Sequence, residues 1–169
     1  MARGDGRLTH DLLPGEKAPQ DACGVFGVCL LWVYAAAAFT SVSGTISTNT
    51  IWTVDASPYH VVGDFSVAAG ATLTIEPGTV VKFADNYVYA TYFLVNGTLN
   101  AQGTSGSPIT FTTVRDDSVG GDSNGDGSAT TPAAGQWVGI VIQDGGNVTL
   151  DHATIRYAGA YLTGSAQYT

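Results

Sequence analysis

Positively charged residues are scarce in this chain. Its 169 residues include six lysines and arginines against 14 aspartates and glutamates, which gives a formal net charge of −8 at pH 7. A protein that binds nucleic acid neutralises the phosphates with a basic stripe on its surface. The composition therefore excludes nucleic acid as a partner.

Total charge and cysteine are low as well. Charged residues make up 12% of the chain, against about 25% in typical soluble proteins, whereas hydrophobic residues make up 44%. This balance excludes disorder through charge excess, and the length predicts one domain of modest size. With only two cysteines, Cys23 and Cys29, the chain has neither a disulfide framework nor a four-thiolate zinc site.

The composition changes twice along the chain and divides it into three zones. Residues 1–24 form a charged N-terminal leader, residues 25–40 form an apolar segment, and residues 41–169 form the main domain. The uncharged run from Val25 to Phe39 contains Ala36-Ala37-Ala38 near its end. At about 15 residues, this run is shorter than the roughly 20 that a membrane-spanning helix needs.

Two interpretations of the apolar segment stay open. It has the length and the small-residue end of the hydrophobic region of a secretory signal peptide, although acidic residues outnumber basic ones in the leader, where a signal peptide is net positive. The alternative is an apolar helix that caps the main domain. The first interpretation predicts an extracellular or cell-surface protein with no transmembrane span after processing.

The leader resembles the start of an enzyme family. Residues 1–28, which include Cys23-Gly-Val-Phe-Gly, are similar to the extreme N-terminus of actinobacterial amidophosphoribosyltransferase. The resemblance implies that Cys23 matches the nucleophile of that family. It stops at Cys29, however, and nucleophilic catalysis also needs an oxyanion site and a substrate pocket. We interpret the leader as a fusion or assembly join that carries no activity.

The main domain has the periodicity of β-strands. Apolar residues recur in pairs separated by one residue, as in Phe65 and Val67 or Leu73 and Ile75, and turn residues such as Asn96-Gly97 stand between the pairs. A period of two predicts strands with one buried face, and the turn residues interrupt any helix. No helical period appears after Phe39, so the main domain is predicted to be all-β.

The strand segments also repeat. Leu73 and Leu99 occupy similar positions 26 residues apart, and Phe83 and Phe111 lie 28 residues apart. A period in the twenties is typical of a solenoid whose coils bury their apolar faces against one another. This predicts a β-helix in which Leu73 and Leu99 share one interior row and Phe83 and Phe111 another. A hairpin sandwich is the alternative architecture.

Residues 52–159 resemble a known fold family. Stretches such as Val67–Gly78, Pro108–Thr112 and Ile155–Gly159 are similar to the opening coils of bacterial right-handed parallel β-helix repeat proteins of the pectin-lyase-like superfamily. The resemblance implies a right-handed solenoid, here of few coils and truncated at its C-terminus, preceded by an apolar N-terminal helix. Members are typically secreted or surface proteins, many without known activity.

An insertion at residues 114–136 carries the strongest chemical pattern. Asp122, Asn124 and Asp126 stand at alternate positions and Gly127 follows, as in the first half of an EF-hand-like calcium loop. Hard oxygen ligands suit a hard cation, so the pattern predicts a structural Ca²⁺ site. The alternative is a solvated loop whose composition favours turns.

The predicted calcium loop lacks its last ligand. Position twelve of the loop is Ala133 rather than the bidentate glutamate of an EF-hand. We expect Asp116 or Asp117 to supply the missing carboxylate from outside the loop. A metal held in this way would pin the insertion rather than take part in catalysis.

No catalytic residues are predicted in the main domain. A polysaccharide lyase needs acidic metal ligands and a cationic base on one strand face, but Lys82 and Arg156, predicted to point outward, have no nearby pair of aspartates in sequence. The sequence thus favours a non-catalytic structural or adhesion scaffold that contacts glycans or another surface protein. The alternative is the N-terminal part of a polysaccharide lyase or hydrolase whose catalytic coils lie beyond Thr169.

Overall fold

The computed structural model describes residues 39–85 and 91–160. The leader, its resemblance to amidophosphoribosyltransferase, and the apolar segment as far as residue 38 lie outside these residues, as does the predicted N-terminal helix. The C-terminal residues 161–169 also lie outside them. In the part that is described, no helix has the length and apolar character to cross a membrane.

Short β-strands make up almost all the regular structure of the described residues. A single 3₁₀ turn at Val54–Ala56 is the exception. The strands are β1 Thr40–Ile46, β2 Thr50–Trp52, β3 Tyr59–Val67, β4 Thr72–Ile75, β5 Val80–Phe83, β6 Tyr92–Val95, β7 Thr98–Gln102, β8 Ile109–Thr113, β9 Gly139–Ile142, β10 Asn147–Asp151 and β11 Ala153–Ile155.

Every pairing between these strands is parallel, and the pairings make two sheets. The four-stranded sheet has the order β10-β7-β4-β2, and the seven-stranded sheet has the order β11-β8-β5-β3-β6-β9 with β1 also beside β3. The first residues of β3 pair with β5 and its last residues pair with β6, so the larger sheet has two branches. Parallel pairing excludes the hairpin sandwich and confirms the predicted β-helix.

Two coils of the described residues contribute one strand to each of three sides. The coil that contains β4 continues through β5 in one branch and β6 in the other, and the next coil repeats this with β7, β8 and β9. We call the branch that contains β5, β8 and β11 the first branch. The stretch between the first branch and the second lengthens along the chain: residues 62–64 lie between the two pairing segments of β3, residues 84–91 separate β5 from β6, and residues 114–138 separate β8 from β9.

Apolar side chains form continuous rows inside the coils. Leu73 of β4 pairs in register with Leu99 of β7, which pairs with Val148 of β10. Leu73 and Leu99 are both fully buried, which confirms the predicted interior row. In the second branch, Phe65 pairs with Phe93, so aromatic residues extend the core in the same manner.

The predicted row of Phe83 and Phe111 is wrong by two residues. Phe111 of β8 pairs with Val81, and Phe83 pairs with Thr113. A shift of two residues keeps every side chain on the same face of a strand, so the apolar pattern alone cannot distinguish the two registers. Phe83 instead stacks on Trp137, with ring centroids 4.0 Å apart and planes 1° from parallel.

The interior rows generate the first prediction. Leu99→Ala, in the middle of a buried row, is expected to lower the free energy of unfolding by about 2–5 kcal/mol because it leaves a cavity. Leu150→Ala is the matched control, since Leu150 is 41% exposed on β10, and it is expected to cost less than about 1 kcal/mol. Urea denaturation measures both. Equal losses would contradict the stacked interior.

Candidate functional site

The insertion between β8 and β9 folds back over the outer face of the first branch. Gly120, with φ of +65°, is packed tightly against this face, because a Cβ there would lie 3.2 Å from the Cβ of Pro58 and 3.3 Å from the Cε of Lys82. A positive φ also favours glycine. The insertion therefore packs directly on strand β5 and on the turn before β3.

Lys82 lies beneath this insertion. It was predicted to point outward, and it does alternate with the core residue Val81, but its side chain is completely buried rather than exposed. The insertion covers the side chain of Lys82. The alternation of residues within one strand cannot predict such a cover, because the insertion is distant in sequence. The Nζ of Lys82 donates hydrogen bonds to the carbonyl oxygens of Asp116, at 2.9 Å, and Gly121.

The charge on Lys82 is balanced by nearby carboxylates. Burial lowers the pKa of Lys82, while the negative charges of Asp117, Asp116 and Asp122 act in the opposite direction. An ammonium buried without such partners would be strongly destabilising. The acidic insertion and the buried lysine thus depend on each other electrostatically.

Asp116 is the most fully engaged carboxylate of the insertion. Its side chain is 1% exposed, its Oδ2 accepts a hydrogen bond from the Oγ1 of Thr112 at 2.8 Å and lies 3.1 Å from the Nη1 of Arg156, and its Oδ1 accepts from Ser118. Burial alone would raise the pKa of Asp116, but the hydrogen bonds from Ser118 and Thr112 and the charge of Arg156 hold it below its usual range.

Asp117, Asp122 and Asp126 form a separate cluster. Each offers a carboxylate oxygen, and these oxygens lie within 4.8 Å of one another. Of the two aspartates expected to complete the loop, Asp117 therefore joins Asp122 and Asp126, whereas Asp116 is bonded to structural partners. Carboxylate oxygens at this spacing can hold a metal ion, and hard cations such as Ca²⁺ take ligands of this kind.

The loop that carries the cluster is held by its own aspartate. The two oxygens of Asp122 accept hydrogen bonds from the amides of Gly125, at 2.7 Å, and Gly127, at 2.8 Å. The Nδ2 of Asn124 donates to the Oδ2 of Asp126 at 2.8 Å. The alternate spacing of these residues therefore produces the tight turn that the sequence predicts. Asn124 contacts Asp126 through its amide nitrogen.

The cluster contains unsatisfied negative charge. The Oδ1 atoms of Asp117 and Asp126 are inaccessible to solvent and have no hydrogen-bond partner. Burial raises the pKa of Asp117, as does the neighbouring charge of Asp122, and the positive charge of Lys82 only partly offsets this. A bound cation would favour the charged form of all three carboxylates.

The structure brings together cations and carboxylates that are distant in sequence. Lys82 pairs with Thr112 across β5 and β8, and Arg156 follows Ile155, the partner of Phe111, so the three side chains stand on successive coils. Lys82 and Arg156 have no pair of aspartates nearby in sequence, but the fold places both cations beside aspartates of the insertion. The register of β5, β8 and β11 places Lys82, Thr112 and Arg156 side by side, and the path of the insertion brings the aspartates to them.

The comparisons with known proteins identify the same fold. Residues 44–163 match the family described as a pectate-lyase like beta helix domain. That range covers more than half of the chain and includes every residue of the site. No curated protein and no solved structure matches the chain.

The environment of Asp116 generates the second prediction. Because the folded-state pKa of Asp116 lies below the ordinary value of 3.8, its stabilising contribution is present above that value and is lost as the pH falls through the folded-state pKa. Asp116→Asn is expected to lower the free energy of unfolding by about 3 kcal/mol at pH 7 and by much less near pH 2. Denaturation at both pH values measures this.

The control for this substitution is Asp144→Asn. Asp144 is exposed in the turn between β9 and β10, so its substitution is expected to change stability little at either pH. A loss for Asp116→Asn that stayed constant from pH 7 to pH 2 would contradict the role given to the Asp116 carboxylate.

Proposed function

The chain belongs to the pectate-lyase-like β-helix domain family, and from that membership and the geometry of the insertion we propose that it is a non-catalytic scaffold. In this proposal the protein acts outside the cell or at its surface. A structural Ca²⁺ ion holds the insertion, and the outer faces of the coils contact glycans or another surface protein.

The burial of Lys82 is the observation that carries the proposal of a scaffold. A lyase needs a base that touches the substrate proton, but the ammonium of Lys82 is enclosed and bonded to two carbonyl oxygens. The other lysine and arginine side chains within the described residues are also engaged, since Arg156 pairs with Asp116 and Arg115 pairs with Asp85. These cations support the shape of the insertion.

The choice of Ca²⁺ rests on the ligands. Asp117, Asp122 and Asp126 supply only oxygen atoms, and they come from a glycine-rich loop. Ca²⁺ accepts irregular sets of oxygen ligands, whereas Mg²⁺ demands a near-ideal octahedron and keeps most of its water. When bound, the ion would neutralise the cluster and tie residue 117 to the loop that follows it.

A row of three polar residues on the outer face of the four-stranded sheet supports the proposed contact with glycans. Thr74, Asn100 and Thr149 stand side by side on β4, β7 and β10, in a row that faces away from the core. Neutral hydroxyl and amide groups hydrogen-bond to sugar hydroxyls without the cost of removing water from a charge. Among the described residues, the tryptophans Trp52 and Trp137 are buried and offer no surface on which a sugar could stack.

A carbohydrate-active enzyme is the second candidate. It is favoured by one observation: a carboxylate cluster and two cations meet on the outer face of one branch, with Arg156 bonded to Asp116 3.1 Å away. In this alternative, the insertion would be part of a larger active site. Assays of metal binding and of polysaccharide turnover distinguish the two functions.

The proposed metal site generates the third prediction. Ca²⁺ at 100 times its dissociation constant is expected to raise the free energy of unfolding of the native protein by about 2.7 kcal/mol, because it binds only the folded state. The double variant Asp122→Ala, Asp126→Ala should lose both this stabilisation and the heat of binding. Calorimetric titration and thermal unfolding measure the two effects.

The matched control for the metal site is the double variant Asp144→Ala, Asp151→Ala. It removes two exposed carboxylates of the same chain and leaves the cluster unchanged, so it should bind Ca²⁺ like the native protein. Identical null heats for the native protein and for the cluster variant would reject the calcium site.

The fourth prediction separates binding from turnover. The native protein is expected to co-sediment with an insoluble neutral polysaccharide and to release no sugars from soluble neutral or acidic polysaccharides in the presence of Ca²⁺. Asn100→Ala, Thr149→Ala should weaken co-sedimentation, whereas Thr45→Ala, Ser66→Ala, on the other sheet, should not. Turnover that disappears in Asp122→Ala, Asp126→Ala would favour the enzyme instead.

A further inference from the structure

Lys82 holds the insertion at two carbonyl groups, and each of them directly precedes an aspartate of the cluster. Its Nζ donates to the carbonyl oxygen of Asp116 and to that of Gly121. The residue after the first carbonyl is Asp117, and the residue after the second is Asp122. The ammonium therefore fixes the peptide unit that immediately precedes each of two cluster aspartates.

This arrangement closes residues 116–122 into a ring around one ammonium group. Both carbonyl oxygens must lie within hydrogen-bond distance of the same nitrogen, so the chain has to reverse between them. Gly120, with its positive φ, lies within the reversal and packs against the side chain of Lys82. The return of the chain brings Asp122 back to Asp117, and their carboxylate oxygens lie within 4.8 Å of each other.

We propose that Lys82 is a positioning residue that assembles the aspartate cluster: its ammonium closes residues 116–122 into a ring and so brings Asp117 and Asp122 together. Strand β5 presents Lys82 from the rigid core, so the ring is placed by the solenoid. The metal-binding consequence rests on the proposed calcium loop, whereas the ring itself does not.

The lysine has the chemistry that this role requires. An ammonium group has three donors and no acceptor, so it satisfies two carbonyl oxygens at once and repels neither. Its positive charge also reduces the repulsion among Asp116, Asp117 and Asp122, which all act on it. A methionine of similar length would fill the same space and supply neither effect.

The first experiment needs no metal. Lys82→Met is expected to lower the backbone NMR order parameters of residues 116–122 from about 0.85 to below about 0.6, while those of β5 and β8 stay unchanged. Residues 116–122 that stay rigid in Lys82→Met would overturn the inference, whether or not the native protein binds Ca²⁺.

The second experiment uses Ca²⁺ alone and tests whether the substitution Lys82→Met weakens or tightens Ca²⁺ binding. Removing a positive charge beside a cation site tightens cation binding if the ligands stay in place. Losing the group that orients the ligands instead weakens binding by about 10–100-fold. Lys82→Met is expected to weaken Ca²⁺ binding in calorimetric titration, and tighter or unchanged binding would overturn the inference.

Gly120→Val tests the same ring without changing any charge. Its Cβ would push the insertion away from Lys82 and Pro58, and the substitution lies outside the core, so folding of the solenoid is expected to persist. It should weaken Ca²⁺ binding by at least about tenfold, whereas Gly106→Val, at a glycine with open space around it, should leave binding unchanged. Unchanged binding in Gly120→Val would also overturn the inference.

Absence of Ca²⁺ binding by the native protein would reject the calcium loop alone. The order parameters of residues 116–122 would then be the deciding test of the inference.

Discussion

The registered stacking of one coil on the next is the constraint on which the rest of the structure depends. A short strand such as β4 cannot satisfy its backbone alone, so it pairs with β2 on one side and β7 on the other. The turns stack as closely as the strands: a Cβ on Gly97 would lie 2.2 Å from the carbonyl oxygen of Ala68, and one on Gly146 would lie 2.3 Å from that of Val95. Backbone contact at the corners leaves little freedom for one coil to slip against its neighbour, and the interior rows follow from this.

A fixed frame of this kind tolerates a long insertion at a corner. Strands β8 and β9 are held by their neighbours on adjacent coils, so the ends of residues 114–138 are fixed whatever the length between them. The entropic cost of closing a loop grows slowly with its length. The insertion then gains its shape from the outer face that it covers, where Lys82 and Thr112 stand on neighbouring strands. Core and insertion are therefore built by different interactions, apolar rows inside and charged hydrogen bonds outside.

The difference explains which features the sequence could predict. A period of two and a repeat of 26 residues are local in nature and were sufficient for the parallel solenoid and for the row of Leu73 and Leu99. The turn at Asp122, Asn124 and Asp126 is equally local. The pairing of Phe111 with Val81 is not local, because it depends on the register between strands of adjacent coils. The burial of Lys82 is not local either, because it depends on where the insertion folds. Asp116 and Asp117 are adjacent in sequence, and only the tertiary structure separates their roles.

That separation of roles also accounts for the distribution of charge in the insertion. Asp116, Asp117, Asp122 and Asp126 carry four negative charges, and Lys82 and Arg156 carry two positive charges. Arg156 is in contact with the carboxylate of Asp116, and Lys82 is bonded to backbone carbonyls. The excess of negative charge therefore lies on the side of the cluster, where the Oδ1 atoms of Asp117 and Asp126 have no hydrogen-bond partner. One half of the insertion is satisfied by the protein, and the other half has the charge and the ligands that a divalent cation would satisfy.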